Sequence, residues 1–338
     1  MVQKQINDTR FSVLDLAPII KDGTPAMALE NTADLARHVE KWGYHRYWLA
    51  EHHSMPGIAS SATAVVIGHV AAQTSTIRVG SGGVMLPNHA PLVIAEQFGT
   101  LESLFPGRID LGLGRAPGTD QLTAHALRRE RRSDGSDFPE QLAELRGYLK
   151  VQPPGKRLVR AIPGEGADIP IWLLGSSGYS AQLAGQLGLP FSFASHFAPE
   201  NTLQALELYR RNFRPSEVLE QPYAMVGANV IVADTDEEAQ RLATSMTQQF
   251  LSLIRNNPGQ LQPPVENIDE LATEYEKALL QQRQTANIVG SKETVNNQLQ
   301  AFLDKTEADE VIVNAQIYDH KARLHSYELL AEIFHPEN

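Results

Sequence analysis

Short β-branched and apolar runs recur along this chain, and each is followed by a segment in which apolar residues return every three or four positions. Runs at 11–16, 44–49, 77–82, 109–113, 171–174, 191–194, 225–232 and 310–314 read as strands. Helical spacing follows at 26–41, 60–73, 91–104, 139–149, 179–186, 201–213, 236–254 and 322–334, with one more helix at 292–304 before the last strand. In the first helix Leu29, Ala33, Leu35, Ala36 and Val39 fall inward. Pro91 opens one helix and Gly188 closes another. Eight β-then-α units predict a parallel sheet with right-handed crossovers. No strand is followed by G-x-G-x-x-G: Gly80, Gly82 and Gly83 have the wrong spacing, and Gly112 and Gly114 lack a third glycine. An open dinucleotide-binding sheet is therefore disfavoured. The strand count favours a closed (β/α)8 TIM barrel of the α/β class, one domain over 1–338.

Two stretches interrupt the alternation, as insertions after strands 4 and 7. One spans 116–138. The other, about 255–290, is punctuated by Pro258, Pro263 and Pro264, and 268–282 reads as a short helix inside it. A lid over the barrel mouth is the expectation for the second, with surface decoration as the plainer alternative. Ser291 stands where the next helix needs an N-cap.

Composition removes whole classes of function. Without cysteine there are no disulfides, thiolate nucleophiles or cysteine-ligated metals. A net charge of −11 argues against a nucleic-acid binder. The one basic cluster, Arg128, Arg129, Arg131 and Arg132, reads first as a solvated face and second as an anion contact. The opening MVQKQINDTRF has no apolar signal region, and no run reaches ~18 apolar residues, so the expected setting is cytoplasmic, away from membranes.

Chemistry in a barrel gathers at the carboxyl ends of its strands. Past the second strand stands Glu51-His52-His53; past the third, Ser81-Gly82-Gly83; past the fourth, Gly114-Arg115-Ala116-Pro117-Gly118; past the fifth, Gly175-Ser176-Ser177-Gly178-Tyr179-Ser180. The glycines after strand 3 permit close approach of a flat ligand, or form an ordinary turn. The Gly/Ser turn offers free N–H groups and hydroxyls to a phosphate, though helix capping alone also selects serine. Arg115 is placed to fork onto the same phosphate, or to make a rim salt bridge. The histidine pair suits a proton donor, a metal or packing, and adjacent residues diverge, so one at most points into the mouth.

WLAEHH (48–53), VGSGGVMLP (79–87), PGRIDLGLGRAPG (106–118) and PIWLLGSSGYSAQLAGQLGLP (170–190), in that order, resemble the bacterial luciferase-like monooxygenases, over about 11–335. The match is nearest to single-chain members carrying SGGVMLPNHAPLVIAEQFGTL and NAQIYDH-like segments. The resemblance implies reduced FMN and O2 acting on a small organic substrate through an oxygen adduct at the flavin C4a, with a separate NAD(P)H:flavin reductase as a possible supplier. It implies a non-proline cis bond at Gly82-Gly83 beneath the flavin ring, and His52 as the catalytic histidine. Arg115, Ser176, Ser177 and Ser180 would hold the flavin phosphate, Gly114 and Pro117 would line the flavin, and Leu174 would pack beside the ring. No metal is expected. There are departures. Bacterial luciferase has a cysteine where Gly114 stands, which puts light emission in doubt. Its glutamate falls on Ser176, and its second phosphate-binding arginine falls on Glu140. Alternatives are an F420-dependent hydride-transfer enzyme, a non-catalytic flavin-binding protein, and a metal hydrolase using Glu51, His52 and His53 with His196 and Asp319. The last lacks H-x-H or H-E-x-x-H spacing. Met55, Leu86, Phe193 and Phe197 suggest an apolar substrate, or barrel-rim core. A homodimer through the second and third helices is implied, with Ala62, Ala64, Gly68, Ala71 and Ala72 suited to close packing.

Overall fold

The computed structural model describes residues 4–116, 121–127, 135–153, 159–284 and 286–335. The elements run β1 (Arg10–Asp15), α1 (Pro25–Lys41), β2 (Arg46–Leu49), α2 (Thr63–Ala71), β3 (Arg78–Met85), α3 (Pro91–Leu104), β4 (Ile109–Gly114), α4 (Gln121–Leu127) and α5 (Phe138–Leu149). They continue β5 (Ile171–Gly175), α6 (Gly178–Leu187), β6 (Phe191–Phe193), α7 (Thr202–Asn212), β7 (Ala224–Val232), α8 (Asp236–Ile254), α9 (Glu274–Gln284), β8 (Asn287–Gly290), α10 (Lys292–Thr306), β9 (Glu310–Asn314) and α11 (His320–Phe334). β1 to β6 pair in sequence order, β6 pairs β7, β7 pairs β9, and β9 returns to β1, all in parallel. Eight strands thus close a (β/α)8 barrel, and the eight predicted runs are its staves.

β8 is an addition that the sequence reading passed over. It takes up β7 at Asn229, where the β9 ladder ends, and follows it to Val232, and so stands outside the closed ring. The predicted helix at 268–282 is two pieces, a 3-10 turn at Ile268–Glu270 and then α9. Thr273 restarts the helix: its hydroxyl accepts from Glu276 N–H at 3.4 Å while the Glu276 carboxylate accepts from Thr273 N–H at 2.8 Å, a capping box. Ser291 is the N-cap residue of α10, but its hydroxyl does not cap; Asp236 instead accepts from Ser291 N–H at 2.6 Å. Nearer the mouth, the segment before α9 meets the loop after β1. Lys21 N–H donates to the Leu261 carbonyl at 2.8 Å, and Leu261 N–H to the Ile19 carbonyl at 3.0 Å. Ile19 N–H in turn reaches the Gly57 carbonyl at 2.9 Å.

Period-two alternation sorts each stave into an outward and an inward set. Phe11, Val13, Tyr47, Leu49, Val79, Ile109, Leu111 and Leu113 join the large core shared with the helices. Leu14, Trp48, Trp172, Met225 and Ile312 form a separate apolar layer inside the lumen. Below that layer, Arg46 links Asp110 at 2.6 Å and Glu310 at 3.1 Å, and Arg78 doubles onto Asp110 at 2.9 and 2.7 Å. Trp48 Nε1 also donates to Asp110, Tyr223 donates to Glu310 at 2.9 Å, and Ser12 donates to Glu310. On the outside, buried Asp15 accepts from Arg323 of α11 at 2.8 Å and from Thr32 and Tyr47. Hydrogen bonds to Tyr47, Arg323 and Thr32 and the Arg323 charge outweigh burial, and hold the Asp15 carboxyl below its ordinary range.

Candidate active site

Between the Arg78–Asp110 pair below and Met85 at the rim, the inward positions of β3 and β4 are glycines. Gly80 faces Asp110 across the ladder, Gly112 pairs Trp172 and Gly114 pairs Leu174, so the upper lumen on this side has backbone walls. A Cβ on Gly82 would stand 2.7 Å from Leu14 Cδ1, and one on Gly83 would stand 2.7 Å from the Gly112 carbonyl oxygen and 3.2 Å from Leu174. Neither position tolerates a side chain without displacement, and together they make a flat ledge. The Gly82-Gly83 bond is cis, as the resemblance implied. The β3–β4 register shifts between Ser81 and Val84, across the ledge.

His52 sits at the end of β2 with Nδ1 buried and without a hydrogen-bond partner. Burial lowers its pKa against the opposing charge of Glu51, so the neutral imidazole is favoured. Its neighbour Glu51, 2% exposed, accepts from His53 Nε2 and His89 Nε2, both at 2.8 Å, and from Met85 N–H at 3.2 Å. Those bonds offset burial and keep the Glu51 carboxyl below its usual range. The ligand atoms of Glu51, His53 and His89 lie within 4.8 Å of one another. This set shares only Glu51 and His53 with the metal constellation weighed from sequence.

A second histidine enters from β6. His196 lies against inward-facing Gly227 of β7, where any Cβ would collide with its Nδ1. That nitrogen too is buried and unpartnered. Burial, with a smaller contribution from His52, pushes His196 down to about 4. Asn229 holds its backbone by donating to the His196 carbonyl at 3.0 Å, and Asn229 is itself gripped by Asn314 at 3.1 Å and by Asn287 of β8 at 3.0 Å. The sequence reading placed His196 only in a metal set; a glycine at an inward position of an otherwise bulky strand was the signal of something filling the lumen there.

Arg115 stacks on Tyr179, with its guanidinium carbon 4.3 Å from the ring centroid, which brings it beside the turn that opens α6. Ser177 is the N-cap there with no side-chain cap bond, so the first N–H groups of α6 remain available. Ser180 is buried against Gly175, whereas Ser177 is exposed and Ser176 half-buried. Leu174 contacts the ledge side of the lumen. Pro117 and the run Arg128, Arg129, Arg131 and Arg132 lie outside the described residues. Leu86 and Phe193 are fully buried in the outer core and do not line the mouth; Met55 and Phe197 remain as apolar groups near it. Ala71 is likewise packed into this chain's own core and offers nothing to a partner subunit, while Ala62 and Ala72 are exposed.

One parallel barrel thus brings to the same mouth a glycine ledge, a half-buried histidine with an unpartnered ring nitrogen and a helix N-terminus without a side-chain cap. The chain belongs to the luciferase-like monooxygenase family, whose model matches residues 9–310. It is 60% identical over 334 residues to the uncharacterised protein YvbT of Bacillus subtilis, covering 99% of each chain. It is 57% identical over 323 residues to a luciferase-like monooxygenase of Escherichia coli, covering 96% of each. Among solved structures, apo-MsnO8 superposes with a TM-score of 0.86 at 35% identity, covering 97% of this chain and 98% of that one. The fold alone is shared with the oxygenating constituent of 3,6-diketocamphane monooxygenase from Pseudomonas putida in complex with FMN (TM-score 0.74, 20% identity, covering 98% of each chain). It is also shared with an F420-dependent tetrahydromethanopterin reductase from Methanopyrus kandleri (TM-score 0.66, 16% identity, covering 97% of this chain and 99% of that one). No helix among the described residues is long and apolar enough to cross a membrane.

Proposed function

We propose that the chain is a monooxygenase that uses reduced FMN and molecular oxygen to oxidise a small organic substrate at this mouth. The observation that carries the reading is the convergence of the Gly82-Gly83 ledge with the buried, unpartnered Nδ1 of half-buried His52. When bound, the reduced flavin would supply the electrons that activate oxygen. The residues fit such a group: the ledge accepts a flat ring, Gly114 and Leu174 border it, and Arg115 with the α6 N-terminus and Ser176, Ser177 and Ser180 suits a phosphate. His52 holds or moves a proton at Nδ1, the neutral form being favoured by burial. The 255–290 segment, docked on the loops after β1 and β2, serves as a lid that excludes water. A separate flavin reductase, a cytoplasmic setting and a homodimer through α2 and α3 complete the proposal; Val65 at 73% exposure and Leu104 at 63% give those helices an apolar outer face.

The deciding measurement adds FMN and F420 separately to the protein and follows quenching of its tryptophans, then measures substrate-dependent oxygen consumption with a supplied reductase. Saturable FMN binding with oxygen uptake supports the assignment. Tight F420 binding without FMN binding overturns the choice of cofactor.

A further inference from the structure

We propose that Glu51 is a positioning residue of this mouth, whose carboxylate straps the end of β2 to the end of β3 and so sets the gap between His52 and the Gly82-Gly83 ledge. The functional meaning of that gap rests on the flavin reading above; the strap itself rests on hydrogen bonds alone.

The β2–β3 ladder ends at Leu49 and Ser81. Beyond it lie His52 on one side and the ledge on the other, and β3 is irregular between Ser81 and Val84. Glu51 joins the two ends past that last pair. It directly precedes His52, and its three donors come from His53 on its own loop, from Met85 just beyond the ledge, and from His89 further along. Among the described residues no arginine or lysine pairs with it, so oriented N–H groups alone hold its charge. A carboxylate suits three converging donors because it accepts through both oxygens and donates nothing. Glutamine would turn an N–H toward one of the three, and alanine would leave two imidazoles and an amide without an acceptor. The same carboxylate also favours the protonated form of His52, against burial. The 4.8 Å spacing of Glu51, His53 and His89 is one that a transition metal would also accept. Here Glu51 Oε1 already faces both Nε2 atoms at hydrogen-bond distance, which accounts for the cluster without an ion.

The test compares the full-length wild type with Glu51→Gln, Glu51→Ala, His89→Gln and the double variant Glu51→Gln/His89→Gln. Without flavin, ring-nitrogen NMR should show protonated Nε2 on His53 and His89 in the wild type, with those signals and the His52 ring shifting in Glu51→Ala. With FMN bound, Glu51→Ala should alter the visible circular dichroism of the flavin and lower kcat roughly tenfold or more. It should also move the acid limb of the pH profile to lower pH, because the charge that favours protonated His52 is gone. Glu51→Gln should fall between Glu51→Ala and the wild type. Glu51→Gln and His89→Gln should be markedly non-additive, as partners in one strap are. The proposal is overturned if Glu51→Ala lowers only Tm and leaves dichroism and pH profile unchanged, or if the two Gln variants add. It is also overturned if Co2+ alone gives the wild type a visible ligand-field spectrum that His89→Gln abolishes, since the cluster is then a metal site. A wild type that binds no FMN defeats the flavin reading instead, and the ring-nitrogen comparison still decides the strap.

Discussion

The two ends of one barrel lumen have opposite chemistry. At the N-terminal end Arg46, Arg78, Asp110 and Glu310 are mutually paired, and hydroxyls and an indole N–H fill the remaining acceptor positions. At the C-terminal end β3 and β4 carry glycine, and two imidazole nitrogens are buried with no partner. Among the described residues the division has two exceptions: Trp172 in the layer between, whose indole N–H is unpartnered, and His45 just before β2, whose Nε2 is buried without a partner. The lesson is about where a fold tolerates incomplete bonding. An unmet buried polar group costs about 1–3 kcal/mol. The end that closes the barrel carries that cost at His45, beside an otherwise fully paired network, and the open end carries it at both His52 and His196.

The largest expected effect is at the closed end. Arg46→Ala would leave Asp110 and Glu310 buried with much of their compensation gone, and roughly 3–5 kcal/mol of stability should be lost. Thermal or urea unfolding reads this out, and a loss below about 1 kcal/mol would remove the contrast between the ends. At the open end the balance reverses. His52→Ala should slow FMN-dependent oxygen chemistry by about 10²-fold or more while Tm and FMN affinity stay near those of the wild type. Unchanged turnover in that variant refutes the catalytic role. Arg115→Ala should weaken FMN binding by roughly 10-fold, a charge-assisted hydrogen bond's worth, and leave riboflavin binding almost unaltered. Equal losses for both ligands would exclude a phosphate contact.

The smallest effect is in pH dependence. His196 titrates near 4 in the fold, against 6.5 as its ordinary value. Between those values the unfolded chain binds a proton that the folded chain refuses, so stability is full above 6.5 and falls as the pH drops toward 4. His196→Gln should flatten that part of the acid limb of Tm against pH; an identical limb in the variant would mean that His196 is not held neutral.

The barrel was legible because burial on both sides of a parallel stave writes short apolar runs, and those recur at every stave. β8 escaped because its four residues, NIVG, pair only with the overhang of β7 and directly follow a helix. The break before α9 was written in the sequence as T-E-Y-E, a capping box hidden inside an otherwise helical pattern. At the site, contiguous motifs were readable and distant contributors were not. Glu51, His52, Gly82, Gly83 and Arg115 belong to segments of recognisable order, and the structure brings them to one mouth. His89 and His196 reach it from beyond β3 and β6, and only the closed ring brings them there. Leu86 and Phe193 stayed open between mouth and rim core for a related reason: proximity to a strand end does not say which face a side chain takes, and both face the helices as core.

Asp15 and Arg323 lie 308 residues apart in sequence and form one buried pair. As the chain leaves the ribosome, the first stave emerges with an anion in its flank whose counterion is still to be translated. Every intermediate lacking α11 must keep Asp15 wet or protonated, and cannot seal the outer face of β1. The order of synthesis and the order of final consolidation therefore differ: the first strand made is among the last whose surroundings are complete.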